Sequence, residues 1–196
     1  KIISTKDYEK DLTFKDITSY AEQYNEKVRG YFGLVRLQDL LKFICNEDSE
    51  LEEKYFEGNV RDYYGISKRV NEKIMGSINS TERMNFWCLN NGITIICYRS
   101  EIFGKKLKLV NFSIVNGCQT GHVIYDCREI ISKNADGEIL VKVIQTEDEM
   151  IANNIIEATN SQTAVSPIAL HSNDLIQKSI EEPFLKSSLG PLYYER

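Results

Sequence analysis

One stretch of this chain constrains its fold more than any other. Leu109-Val110-Asn111-Phe112-Ser113-Ile114-Val115 has the composition of a strand and stops at Asn116-Gly117-Cys118-Gln119-Thr120. Beyond that stop, Val123, Ile124, Cys127, Ile130 and Ile131 recur with the spacing of one helix face. Ile139-Leu140-Val141-Lys142-Val143-Ile144 then reads as a second strand, so the unit is strand, turn, crossover helix, strand. Such a unit sets a polar, glycine-containing turn at a helix N-terminus. There, N–H groups without a partner inside the helix, together with the helix dipole, favour an anion. The same residues also suit an ordinary connection, because Asn-Gly is a common turn dipeptide and Gln-Thr an acceptable helix start.

The rest of the chain supplies elements to surround that unit. Residues 8–27 are polar with scattered Tyr, Leu and Ile and read as a helix. Tyr31 to Leu37 reads as a short strand running into a helix over 38–45, with Leu37, Leu40, Leu41 and Ile44 on one face. Glu47-Asp48-Ser49-Glu50 is a loop, and Val70, Ile74 and Ile78 place a helix over 67–79. Phe86-Trp87-Cys88-Leu89 and Ile93-Thr94-Ile95-Ile96-Cys97 flank Asn90-Asn91-Gly92, which is a hairpin signal. A strand at 93–98 would be apolar on both faces and therefore buried on both. Asp148 to Thr159 reads as a helix, and Ser172 or Asn173 could cap another that Pro183 ends. Mixed strands and helices with one crossover unit imply an α/β or α+β domain around a small mixed sheet with flanking helices. The expected organisation is a helical lead-in over 1–30 followed by the main domain over 31–196.

Composition narrows the function. The chain has 196 residues, 42% hydrophobic and 27% charged, which is ordinary for a globular protein with a real core. No apolar run has the length of a membrane span and no signal-peptide pattern opens the chain, so no membrane role is expected. It begins at Lys1 rather than Met and stops in Tyr193-Tyr194-Glu195-Arg196, which reads as a piece of a longer protein. Cys45, Cys88, Cys97, Cys118 and Cys127 are odd in number, with no Cys-x-x-Cys pair. That pattern fits a reducing, cytoplasmic setting. His122 and His171 are the only histidines, without ligand spacing, which argues against a metal site and against a Ser–His–acid hydrolase. A net charge of −5 argues against a whole-surface duplex-binding protein. Arg99, Lys105, Lys106 and Lys108 gather around one expected turn, as a solvated hairpin end or a short phosphate track.

Four neutral-polar clusters sit at element ends. They are Asn59-Val60-Arg61-Asp62, Asn90-Asn91-Gly92, Asn116 to Thr120, and Asn160-Ser161-Gln162-Thr163. Asn and Gln offer donors and acceptors together, which suits phosphates, sugars or base edges without large charge. Each cluster also has a plain structural reading: Arg61-Asp62 as an ion pair, Asn91-Gly92 as a hairpin turn, Asn160 as a helix cap. Taken in order, Asn59-Val60-Arg61-Asp62, Phe86-Trp87 with Asn90-Asn91-Gly92-Ile93-Thr94, Ile114-Val115-Asn116-Gly117-Cys118-Gln119-Thr120 and Ala158-Thr159-Asn160-Ser161-Gln162-Thr163 resemble the AIPR family. These are abortive-infection phage-resistance proteins of bacteria. The resemblance covers roughly 30–196, and the closing Tyr194-Glu195-Arg196 matches a further family segment that is cut short here. It implies a place in anti-phage defence and says little about chemistry.

The strand–Asn116-Gly117–helix unit is also similar, in fold alone, to the Asp-Gly-Gln-His-Arg turn of DGQHR domains and to the phosphate turn of ParB/sulfiredoxin-like domains. Here Thr120 stands where the Arg would be, so a charge-assisted phosphate contact would have to come from elsewhere, with Arg61 the candidate.

Three functions compete at this stage. In the first, Asn59, Arg61, Asp62, Asn90, Asn91, Asn116, Gly117, Gln119, Thr120, Asn160, Gln162 and Thr163 form one pocket for a nucleotide or nucleic acid. In the second, the chain is a metal-dependent phosphodiesterase using carboxylates such as Asp62, Glu57, Asp126 and Glu157. In the third, it recognises a phage protein through aromatics such as Tyr63, Tyr64, Tyr193 and Tyr194. No catalytic residue, cofactor or oligomeric state is legible.

Overall fold

A computed structural model describes residues 8–21, 28–56 and 68–160, all within one compact unit that ends at Asn160. Its centre is a six-stranded mixed sheet. In chain order the strands are β1 (Glu9–Thr13), β2 (Asp16–Ala21), β3 (Val28–Arg36), β4 (Ile93–Phe103), β5 (Lys106–Asn116) and β6 (Glu138–Thr146). In space they run β1-β5-β4-β6-β3-β2. The described helices are α1 (Leu37–Ile44), α2 (Lys68–Asn79), α3 (Phe86–Leu89), α4 (Cys118–Asp126), α5 (Arg128–Lys133) and α6 (Glu149–Asn160). A short 3-10 turn, Glu53–Phe56, follows α1.

The strand–turn–helix–strand unit is present, and its path explains the sheet. β5 returns antiparallel beside β4 through a tight hairpin at Gly104. The chain then crosses a face of the sheet as α4 and α5, and β6 enters on the far side of β4, parallel to it. β4 is therefore the central strand, flanked on both edges. Its apolar run faces two cores, as its composition requires: Ile95 lies in the larger core with Leu40, Phe43, Ile114, Val123 and Val141. Ile96 lies in a smaller one with Val115, Ala152 and Ile156 under α6. Thr94 pairs with Asn116 but Ile95 pairs with Ile114, so Val115 is one extra residue in β5 just before the turn.

Two local expectations are overturned. The helix expected over 8–27 is replaced by β1 and β2 within the described part of that range. Leu12 and Phe14, two residues apart, are both fully buried, a strand period that the scattered polar residues obscured. β1 gains ladder bonds from β5 and β2 from β3, and this long-range pairing outweighs weak local preference. The hairpin expected across Asn90-Asn91-Gly92 also does not form. Phe86–Leu89 is a single helical turn, with Phe86 buried while Trp87, Cys88 and Leu89 face outwards. β4 finds its partners in β5 and β6 instead. The helix expected over 173–180 falls outside the described residues. Among the described residues no helix is long and apolar enough to cross a membrane.

Candidate functional site

The turn between β5 and α4 is one residue, Gly117, in left-handed conformation with φ 93°. A Cβ there would lie 2.8 Å from Ile93 Cγ1 and 2.9 Å from Gly92 O, so the backbone of one Asn-Gly turn rests directly on the other. Gly92 is itself left-handed, with φ 81°, and its Cβ would meet Leu140 O at 2.4 Å. The two glycines are thus required by close backbone approach as well as by φ. With Gly117 at the N-cap position no side chain caps α4. The first-turn N–H groups of a helix have no partner within it, and here they belong to Cys118, Gln119 and Thr120.

Around this turn the structure joins several of the residues singled out above. Asn90 Nδ2 donates to Thr120 Oγ1 at 3.3 Å, and Asn90 Oδ1 accepts from Gly92 N at 3.0 Å. Asn116 Nδ2 donates to Thr159 O at 2.9 Å, which ties the last turn of α6 to the end of β5. Gln119 Nε2 donates to Asn71 Oδ1 at 3.3 Å on α2. Asn91 is exposed beside them. Asn59, Arg61, Asp62, Gln162 and Thr163 lie outside the described residues, as do Glu57 and the side chain of Asn160.

Asn71 was missed by sequence reasoning because it stands alone on a helical face, with nothing local to link it to Gln119. His122 and Glu53 were missed for the same reason, since a lone histidine far in sequence from a loop carboxylate gives no pattern.

Cys118, His122 and Glu53 form a contiguous group beneath the turn. Cys118 Sγ is 3.5 Å from His122 Nδ1, and His122 Nε2 is 3.2 Å from Glu53 Oε2. The order thiol, imidazole, carboxylate is that of a cysteine nucleophile with its base, but the details oppose that role. His122 Nδ1 is closer to Cys118 O, at 2.9 Å, than to the sulfur, so its proton is directed to the carbonyl. Burial, aided by the Glu53 charge, pushes the Cys118 thiol up to about 11, and Cys97 is pushed up to about 12 by burial. Both are thiols, not thiolates, at neutral pH, and reactivity follows the thiolate. Cys45, Cys97, Cys118 and Cys127 are buried while Cys88 is exposed. Mass spectrometry after brief iodoacetamide treatment of the folded protein is therefore expected to find Cys88 alone modified. The other four should react only in denaturant.

Part of the basic group near Gly104 is interleaved with acidic side chains. Cross-strand register sets Lys108 between Glu101 and Asp11, and Lys106 between Phe103 and Thr13. Lys108 also pairs with Glu9 at 2.5 Å and Lys105 approaches Asp16 at 3.9 Å. The acidic neighbours of Lys105 and Lys108 reduce the local field that polyanion binding needs. Asp126 and Glu157 are both exposed. Among the described residues no three His, Cys, Asp or Glu side chains gather as metal ligands would.

Comparison with known proteins adds one finding. A family model described as AIPR protein matches residues 56–196. No curated protein matches the chain, and no solved structure does.

Proposed function

The chain belongs to the AIPR protein family, the abortive-infection phage-resistance proteins, and from that premise we propose that it binds a nucleotide or single-stranded nucleic acid through phosphate at the first turn of α4. The observation that carries this reading is convergence. Three residues next to Gly117 each bond to a distant part of the chain: Thr120 to Asn90, Gln119 to Asn71 of α2 and Asn116 to Thr159 O of α6. Their amides are neutral donors and acceptors beside N–H groups that favour an anion.

The site then needs a cation. Thr120 cannot supply one, because its hydroxyl is neutral. Arg61 is the cation that stands inside a family motif. The chain leaves the described residues at Phe56, which packs against the Gly121 backbone of α4. It re-enters at Lys68, three residues before Asn71, the partner of Gln119. Both flanks of the Arg61 segment are therefore anchored on α4, which supports Arg61 as the phosphate contact.

Arg61→Ala is expected to weaken ATP or oligonucleotide binding, measured by calorimetry, while the melting temperature stays near that of the parent. One lost phosphate contact should also reduce the slope of log affinity against log salt by about one. A lower melting temperature with unchanged affinity would instead assign Arg61 to an internal pair with Asp62 or Glu57 and overturn the reading.

A further inference from the structure

Phe86-Trp87 belongs to the same short stretch as Asn90-Asn91-Gly92, and the binding site described above draws only on the second half of it. The fold divides this stretch into anchored and outward residues. Phe86 is 1% exposed in the larger core. Asn90 is held at the other end, with Nδ2 donating to Thr120 Oγ1 at 3.3 Å and Oδ1 accepting from Gly92 N at 3.0 Å. Between these anchors Trp87 is 48% exposed, and among the described residues its ring has no aromatic, cation–π or hydrogen-bond partner. Asn91 is exposed just beyond, with no side-chain hydrogen bond among the described residues. Chain connectivity keeps both close to the α4 turn. Gly92 O lies 2.9 Å from where a Cβ on Gly117 would be, and Asn91 is the residue before Gly92. Three peptide units separate the Cα of Trp87 from that of Asn90, a span of at most about 11 Å.

We propose that Trp87 is a stacking platform for a nucleobase, so that the site takes a phosphate carried on a base rather than phosphate alone. This rests on the phosphate site at α4 proposed above. Every base has a π face, and stacking on an aromatic ring is the contact that serves single-stranded nucleic acid whatever its sequence. One exposed tryptophan is not unusual in itself. Met84 and Leu89 are exposed in the same stretch, which makes a protein surface the competing occupant. The polar residues that follow the ring favour a base. Asn90 and Asn91 present amides within four residues of Trp87, and a base is apolar on its face and polar at its edge. Anchoring at Phe86 and Asn90 also fixes the platform before the ligand arrives, which lowers the ordering cost of binding.

Trp87 is the only tryptophan in the chain, so tryptophan emission reports on it without any substitution. The test titrates the full chain with ATP and, separately, with inorganic tripolyphosphate, which has no base, and follows both emission and heat. Both ligands are expected to bind, and ATP alone to quench the emission. Trp87→Ala is expected to weaken ATP binding about five- to a hundredfold, the scale of one stacked base, and to leave tripolyphosphate affinity unchanged. Trp87→Phe, which keeps a π face, should lose less. ATP that binds without changing the emission, or that binds Trp87→Ala as tightly as the parent, overturns the platform and leaves the phosphate site standing. Binding of neither ligand overturns the phosphate site and the platform with it. Emission that shifts with protein concentration but not with ATP would put a second copy of the chain on Trp87, and that too overturns the platform.

Discussion

Phe112→Ala is expected to destabilise the fold by about 3–5 kcal/mol, a large share of what a domain of this size has in reserve. Phe112 is 1% exposed on β5, at a point where four separate segments meet. Its ring centroid lies 4.8 Å from Phe43 of α1, 4.7 Å from Tyr55 of the 3-10 turn and 5.2 Å from Tyr8 ahead of β1. The Tyr8 hydroxyl donates to Phe112 O as well. Truncation would leave a cavity and also remove edge-to-face and tilted ring contacts, which contribute beyond buried area. β1 is an edge strand, so losing its aromatic anchor should fray it first. Urea unfolding followed by circular dichroism measures the loss. Phe112→Leu, which keeps most of the volume, should lose less than about 1.5 kcal/mol. Equal losses for Leu and Ala would mean that ring geometry, not volume, holds these segments together.

Phe112 also illustrates what could be read from the chain and what could not. Its strand, the turn after it and the strand of residues 139–144 were legible, because each carries its own period over a long enough run, while the single helical face from Val123 to Ile131 is divided at Cys127 into α4 and α5. β4 was legible too, as a continuous apolar run that must be buried on both faces. The cluster around Phe112 was not, since Tyr8, Phe43 and Tyr55 are joined to it only by long-range packing. The same cause misled the reading of β1 and β2. Glu9-Lys10-Asp11 and Thr13 hide the alternation of Leu12 and Phe14, and it is the edge of β5 that makes a strand of them. At the candidate site, the residue types at the α4 turn were visible, and so was the glycine. The link from Gln119 to Asn71 and the enclosure of His122 were not, because a partner 48 or 69 residues away leaves no local trace.

Gly117→Ala is expected to cost about 2–5 kcal/mol and to abolish any binding at the α4 turn. The left-handed backbone alone costs a residue with a Cβ about 1–2 kcal/mol. The remainder comes from crowding, since the new methyl would sit 2.9 Å from Gly92 O and 2.8 Å from Ile93 Cγ1, and overpacking of this kind costs about 1–3 kcal/mol. Gly117→Asn separates the two contributions. Asn tolerates positive φ better than Ala but carries the same Cβ, so it should recover little stability if contact with Gly92 dominates. The neighbouring turn cannot yield to make room. Gly92 is held by its own left-handed φ, by Asn90 Oδ1 at 3.0 Å and by the Leu140 backbone beneath it. The strain should therefore pass to the start of α4, turning the N–H groups of Cys118, Gln119 and Thr120 away from the Asn90 side. Because the two turns touch, Gly92→Ala combined with Gly117→Ala should depart from additivity by about 0.5–3 kcal/mol in a double-mutant cycle. Strictly additive losses would mean that the two Asn-Gly turns are energetically independent despite their close approach.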